Sequence, residues 1–255
     1  MNLNDPGVAR IERENRSLAM NDAGEHQARP MVRATPSTAL TTKQLEDRRL
    51  IHRSESMREQ ADAFRELRTR ILALGGDRNF VTMVAPIRHG CGGSFVARNL
   101  AAAFAFDETK NALLIDCDAR HPTQGAALRI DASAGNLMAY LDDPEADLAD
   151  TIYPSGLPRL QVIPVGPTRE VSGEAFTSFR MRAMIDSLRS RHADRYVILD
   201  APPVEGSPDA RILSELADVV VLVVGYGRVT SEAIDKAVAA FPPEKLAGVV
   251  FNHRP

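Results

Sequence analysis

From residue 80 onward the chain alternates short, unbroken apolar runs with longer stretches of helical period. The runs at 80–85, 113–115, 160–164, 196–199, 219–224 and 248–251 are rich in Val, Ile and Leu, as strands buried on both faces should be. The segments 94–106, 179–191, 209–216 and 231–241 between them read as helices. This alternation predicts an α/β fold of three layers, a mostly parallel sheet flanked by helices. Ligands in such sheets bind at the carboxyl ends of the strands. No internal repeat is present.

Upstream the pattern weakens. In 61–74, Phe64, Leu67, Ile71 and Leu72 recur at helical spacing while Arg65, Glu66, Arg68 and Arg70 lie largely off that stripe, which predicts an amphipathic helix ended by Gly75-Gly76. The segment 43–60 is dense in both signs of charge, and Leu45, Leu50, Ile51 and Met57 are too sparse to define a core face. It reads as a charged linker with weak helical character. Residues 1–42 hold no aromatic side chain and no sustained period, and read as disordered. The remainder, 61–255, reads as one domain.

Composition narrows the function classes. A net charge of -3 over 255 residues argues against a dedicated nucleic-acid binder, which usually carries a basic excess. Two cysteines, Cys91 and Cys117, are too few for a disulfide scaffold. The first ten residues are polar with no apolar run behind them, so no signal peptide is expected. The longest apolar runs fall far short of the roughly 20 residues needed to cross a bilayer. A cytoplasmic protein that meets the membrane only through a partner is expected.

Three strand ends carry the chemistry. Residues 84–95 read as a strand, a glycine-rich loop and a helix start, close to the phosphate-binding pattern G-x-x-x-x-G-K-[ST], whose backbone N–H groups cradle phosphate, whose lysine reaches the β and γ oxygens and whose hydroxyl binds Mg²⁺. Gly92 and Ser94 fit the pattern, Gly93 stands in the lysine position and Ile87 in that of the first glycine. The same glycines also suit an ordinary strand-to-helix turn. In Leu113-Leu114-Ile115-Asp116-Cys117-Asp118-Ala119-Arg120 an apolar strand ends in two carboxylates at alternate positions, which would share a side if strand geometry continued. Such carboxylates beside a phosphate loop hold Mg²⁺ or deprotonate a hydroxyl nucleophile, or else simply cap a turn. In Leu199-Asp200-Ala201-Pro202-Pro203 a strand-end aspartate takes the position of a second Mg²⁺ ligand.

Together these residues resemble the bacterial tyrosine kinases of capsule and exopolysaccharide biosynthesis, over about 61–252. That family carries Leu-Leu-Ile-Asp-x-Asp-x-Arg after a phosphate loop and then Ile-Asp-x-Pro-Pro, matched here by 113–120 and, with Leu199 for isoleucine, by 199–203. The resemblance implies a P-loop NTPase-like fold and an ATP or ADP site built from Gly90, Cys91, Gly92, Gly93, Ser94, Phe95 and Asn252, with Arg88, which falls where the related partitioning ATPases carry an additional lysine, as a further phosphate contact. It further implies Mg²⁺ on Ser94, Asp116 and Asp200, and catalytic roles for Asp116, Asp118 and Arg120. Asp62, Arg65 and Arg68 match the family's acidic-x-x-Arg-x-x-Arg helix, which implies a homo-oligomer interface, and a membrane chain-length determinant is the implied partner.

Two departures limit the activity expected. Gly93 replaces the phosphate-loop lysine, and the family's C-terminal tyrosine cluster has no counterpart, since the tyrosines are Tyr140, Tyr153, Tyr196 and Tyr226. Arg88 is a candidate substitute cation, and His89 stands where the kinases usually have proline. The leading expectation is a degenerate, nucleotide-binding regulatory member of the family; an active tyrosine kinase using Arg88 and a partitioning-type ATPase are the alternatives.

Overall fold

A computed structural model of the chain describes residues 39–76, 79–169, 173–191 and 194–252. The strands fall where the apolar runs predict: β1 Val81–Pro86, β2 Asn111–Asp116, β3 Tyr153–Pro154, β4 Leu160–Ile163, β5 Arg195–Asp200, β6 Val219–Gly225 and β7 Leu246–Asn252. They form one sheet in the order β3-β4-β2-β5-β1-β6-β7. All neighbours are parallel except the short edge pair β3 and β4. β1, β5 and β6 are buried along their whole length, which is why their sequences are continuous apolar runs rather than alternating ones.

The helices are α1 Thr42–Asp47, α2 Arg58–Gly75, α3 Gly93–Ala105, α4 Gln124–Leu128, α5 Leu137–Asp142, α6 Gly173–Thr177, α7 Phe179–Arg191, α8 Asp209–Ser214 and α9 Ser231–Val238. α2 has the predicted stripe: Ile71 is buried and Phe64, Leu67 and Leu72 pack against the core. It stops at Gly76, whose φ of 71° is open to glycine at little cost. α3 is alanine-rich and almost entirely buried. Three arginines close its far end, with Arg68 donating to Ala103 O at 2.7 Å, Arg159 to Ala105 O at 3.2 Å and Arg53 to Phe106 O, where the helix leaves carbonyls unpaired and its dipole favours cations.

The segment 43–60 departs from the sequence reading. Leu45, Leu50 and Ile51 are buried in the main core, and α1 begins with a capping box in which Thr41 and Gln44 satisfy each other's backbone. Tertiary hydrogen bonding supplies what periodicity lacks. Asn99 of α3, itself buried, accepts from Ile51 N at 2.7 Å and donates to Arg49 O at 3.0 Å. The disordered reading of 1–42 falls outside the described residues except for 39–42, where Leu40 N donates to Gly156 O. No helix among the described residues is long and apolar enough to cross a membrane.

Candidate functional site

The site lies at the carboxyl ends of β1, β2 and β5, the three central strands whose ends carry the loop 87–92, Asp116 and Asp200. Gly90 and Gly92 have φ of 80° and 87°, a region that disfavours side chains. A Cβ on Gly92 would lie 2.0 Å from Asn252 Nδ2, and that amide donates to Cys91 O at 3.1 Å. The end of β7 therefore braces the loop from behind. Among the described residues, no backbone hydrogen bond of the loop uses the N–H groups of Gly92, Gly93 or Ser94, and the α3 N-terminus has no side-chain cap. Open N–H groups at a helix start suit an anion.

Gly93 is more than a missing lysine. It is buried against β1, and a Cβ there would lie 2.5 Å from Pro86 Cδ and 2.8 Å from Pro86 Cγ. Pro86 occupies the space that any side chain at 93 would need. Arg88, the candidate substitute, pairs with Glu205, its Nε and Nη2 meeting Glu205 Oε2 and Oε1 at 2.5 and 3.4 Å, an exposed ion pair.

β2 ends at Asp116, so the expected alternation of Asp116 with Asp118 on one strand face does not continue. The Asp116 carboxylate turns onto the backbone instead, accepting from Asp118 N at 3.1 Å, Thr123 N at 3.1 Å and Gln124 N at 3.0 Å. Its true neighbour is Asp200, directly in register on β5. Asp118 accepts from His121 N at 3.0 Å.

Both strand-end carboxyls are buried. Burial lifts Asp116 to about 6, against the pull of its three N–H donors. Asp200 is raised well above the usual carboxylate range by burial and then by Asp116. The buried Cys117 thiol is raised too, by burial and then by Asp116 and Asp200.

Gln124, which no sequence pattern marks, ties the strand ends to the loop. Its Nε2 donates to Ser94 O at 2.9 Å and Asp200 Oδ2 at 2.6 Å. Asp200 Oδ1, Gln124 Oε1 and Thr123 Oγ1 are buried without a partner. Oxygen donors from Ser94, Asp116 and Asp200, one of them an orphaned carboxylate oxygen, match the preference of Mg²⁺. The open N–H groups match a phosphate.

Beside the loop, Arg88, His89, Arg120, His121, Glu205 and Ser207 line an open cavity of about 360 Å³, with the rings of His89 and His121 4.3 Å apart. Arg120 therefore faces this cavity. Cys91 is buried, and Phe95 packs edge-on to Phe64 of α2 at 6.1 Å. On α2, Asp62 and Arg65 form an exposed pair at 2.5 Å, but Arg68 is spent on Ala103 of its own chain.

No protein-family model matches the chain. It is 30% identical over 208 residues to the tyrosine-protein kinase YwqD of Bacillus subtilis, covering 80% of this chain and 86% of that protein. The BceF tyrosine kinase domain superposes with a TM-score of 0.67 at 26% identity, over 86% of this chain and 92% of that one. The septum site-determining protein MinD from Pyrococcus horikoshii, solved with Mg-ADP, shares the fold at TM-score 0.55 and 19% identity, over 68% and 69%. With β1 running into a glycine loop, Asp116 and Asp200 paired behind it and that extent of likeness, the chain belongs to the bacterial tyrosine-protein kinase family.

Proposed function

We propose that this chain is a nucleotide-binding regulatory member of its family, working in capsule or exopolysaccharide export with a membrane chain-length determinant and with phosphotransfer silenced. The carrying observation is the Pro86 ring, 2.5 Å from where a Cβ on Gly93 would stand. A lysine lost by one substitution could be regained by one; here the neighbouring position also excludes it. The open N–H groups of Gly92, Gly93 and Ser94 support binding of ADP or ATP, with Ser94, Asp116 and Asp200 as the residues that would hold Mg²⁺. That ion, when bound, neutralises phosphate charge.

The active-kinase reading needs Arg88 on the phosphates, and the Glu205 pair opposes it. The partitioning reading rests on architecture, since the likeness to MinD is one of fold. Binding is tested by calorimetry with ADP on the wild type and on Gly92→Ala, whose Cβ meets Asn252. Saturable binding in the wild type, weakened in the variant, is expected. Absence of binding in the wild type, or equal binding in both, overturns the nucleotide role.

A further inference from the structure

Each strand-end carboxyl has two oxygens, and Gln124 holds one oxygen of each. This residue opens α4 and is wholly buried. Its side-chain Nε2 donates to Asp200 Oδ2 at 2.6 Å and to Ser94 O at 2.9 Å. Its backbone N–H donates to Asp116 Oδ2 at 3.0 Å, beside Thr123 N at 3.1 Å. Both partners of Nε2 are acceptors, a carboxylate oxygen and a helix carbonyl, so the amide must present its NH₂ group to them. The opposite oxygens are left over. Asp200 Oδ1 is buried without a partner among the described residues, and Asp116 Oδ1 accepts from Asp118 N at 3.1 Å, which leaves it a second lone pair. Gln124 Oε1 is also buried without a partner, a cost that an apolar side chain of the same shape would avoid.

We infer that Gln124 sets the ion selectivity of the site, by occupying Asp200 Oδ2 so that Asp200 meets a divalent cation through Oδ1 alone. This rests on the proposed Mg²⁺ assignment to Ser94, Asp116 and Asp200, and adds to it a residue outside the ligand set. Mg²⁺ demands near-octahedral geometry and keeps several waters, whereas Ca²⁺ takes about six to eight oxygens at longer distances and accepts both oxygens of one carboxylate. A carboxylate pinned by one oxygen and offering the other suits the first ion and disfavours the second. The backbone donors of Thr123 and Gln124 restrain Asp116 Oδ2 in the same way, and no side-chain substitution at 124 deletes them. The Gln124 amide acts through Asp200, as a positioning residue.

The test is ion competition on the nucleotide-free protein at mildly alkaline pH. Mn²⁺ is bound first, its free fraction is read by electron paramagnetic resonance, and Mg²⁺ or Ca²⁺ is added to displace it. Wild type is compared with Gln124→Leu and Gln124→Met, each first shown folded by circular dichroism. The wild type should prefer Mg²⁺ to Ca²⁺. Each folded variant should lose that preference by about tenfold or more, the lower end of what an outer partner of a metal site contributes, with Ca²⁺ binding more tightly than in the wild type. A loss of packing alone would weaken both ions together and leave their ratio unchanged. Equal displacement by the two ions in the wild type, or an unchanged ratio in a folded variant, overturns the inference while the Mg²⁺ assignment stands. No Mn²⁺ binding by the wild type overturns that assignment and the inference with it.

Discussion

Replacing Gly93 by lysine puts a Cβ 2.5 Å from Pro86 Cδ, so restoring the phosphate-loop sequence overpacks the β1–α3 corner. Such overpacking costs about 1–3 kcal/mol. Gly93→Lys should lower the denaturation midpoint, and Pro86→Ala added to it should recover most of the loss; an unchanged midpoint in the single variant contradicts the contact. A second residue-scale effect is a pH dependence. Asp116 titrates at about 6 in the folded protein against 3.8 for the free group. Its proton is thus held more tightly when folded, so its contribution to stability is present below 3.8 and is lost as the pH rises through about 6. Asp200 acts in the same direction. Asp116→Asn should flatten the fall of stability across that window, and equal slopes in both proteins would count against the raised carboxyl. The sequence shows Gly93 plainly, because the phosphate-loop pattern names the position. It does not show Pro86 as its obstacle, because that contact depends on how β1 meets α3. Nor does it show Gln124, which lies in a stretch without period.

At the scale of elements, the strands and long helices were legible because burial writes itself as period. Two-sided burial gave the continuous runs of β1, β5 and β6, and one-sided burial gave the stripe of α2. The segment around α1 was not legible, since its buried Leu45, Leu50 and Ile51 follow no period and its backbone is held by a polar side chain from another element. Asn99 satisfies both Ile51 N and Arg49 O, and removing it leaves the buried Ile51 N–H and the part-buried Arg49 O unpaired. At about 1–3 kcal/mol for each, Asn99→Ala should cost on the order of 3 kcal/mol. Hydrogen exchange should quicken at 45–51 before the sheet is affected. Exchange that rises uniformly across the chain would show that Asn99 holds no separate element. Arg68 gives the converse case. Its spacing from Asp62 and Arg65 suggests an interface helix, yet the side chain closes α3 of its own chain, so Arg68→Ala should lower stability whatever the oligomeric state.

For the whole molecule, the architecture brings three strand ends together and the likeness to YwqD and BceF identifies the family. What the family name leaves open is whether phosphate moves. The Pro86 ring stands where a side chain at 93 would need to be, and Gly93 leaves the phosphate loop without its lysine. Loss of a cation that stabilises phosphoryl transfer costs on the order of a thousandfold in rate. The most direct measurement is transfer of labelled γ-phosphate from ATP to tyrosine, on the protein itself and on an added tyrosine-rich peptide. Wild type and Pro86→Ala/Gly93→Lys are assayed side by side. The account predicts no labelling above background by the wild type and labelling by the double variant. Robust labelling by the wild type that Asp116→Asn abolishes would contradict it.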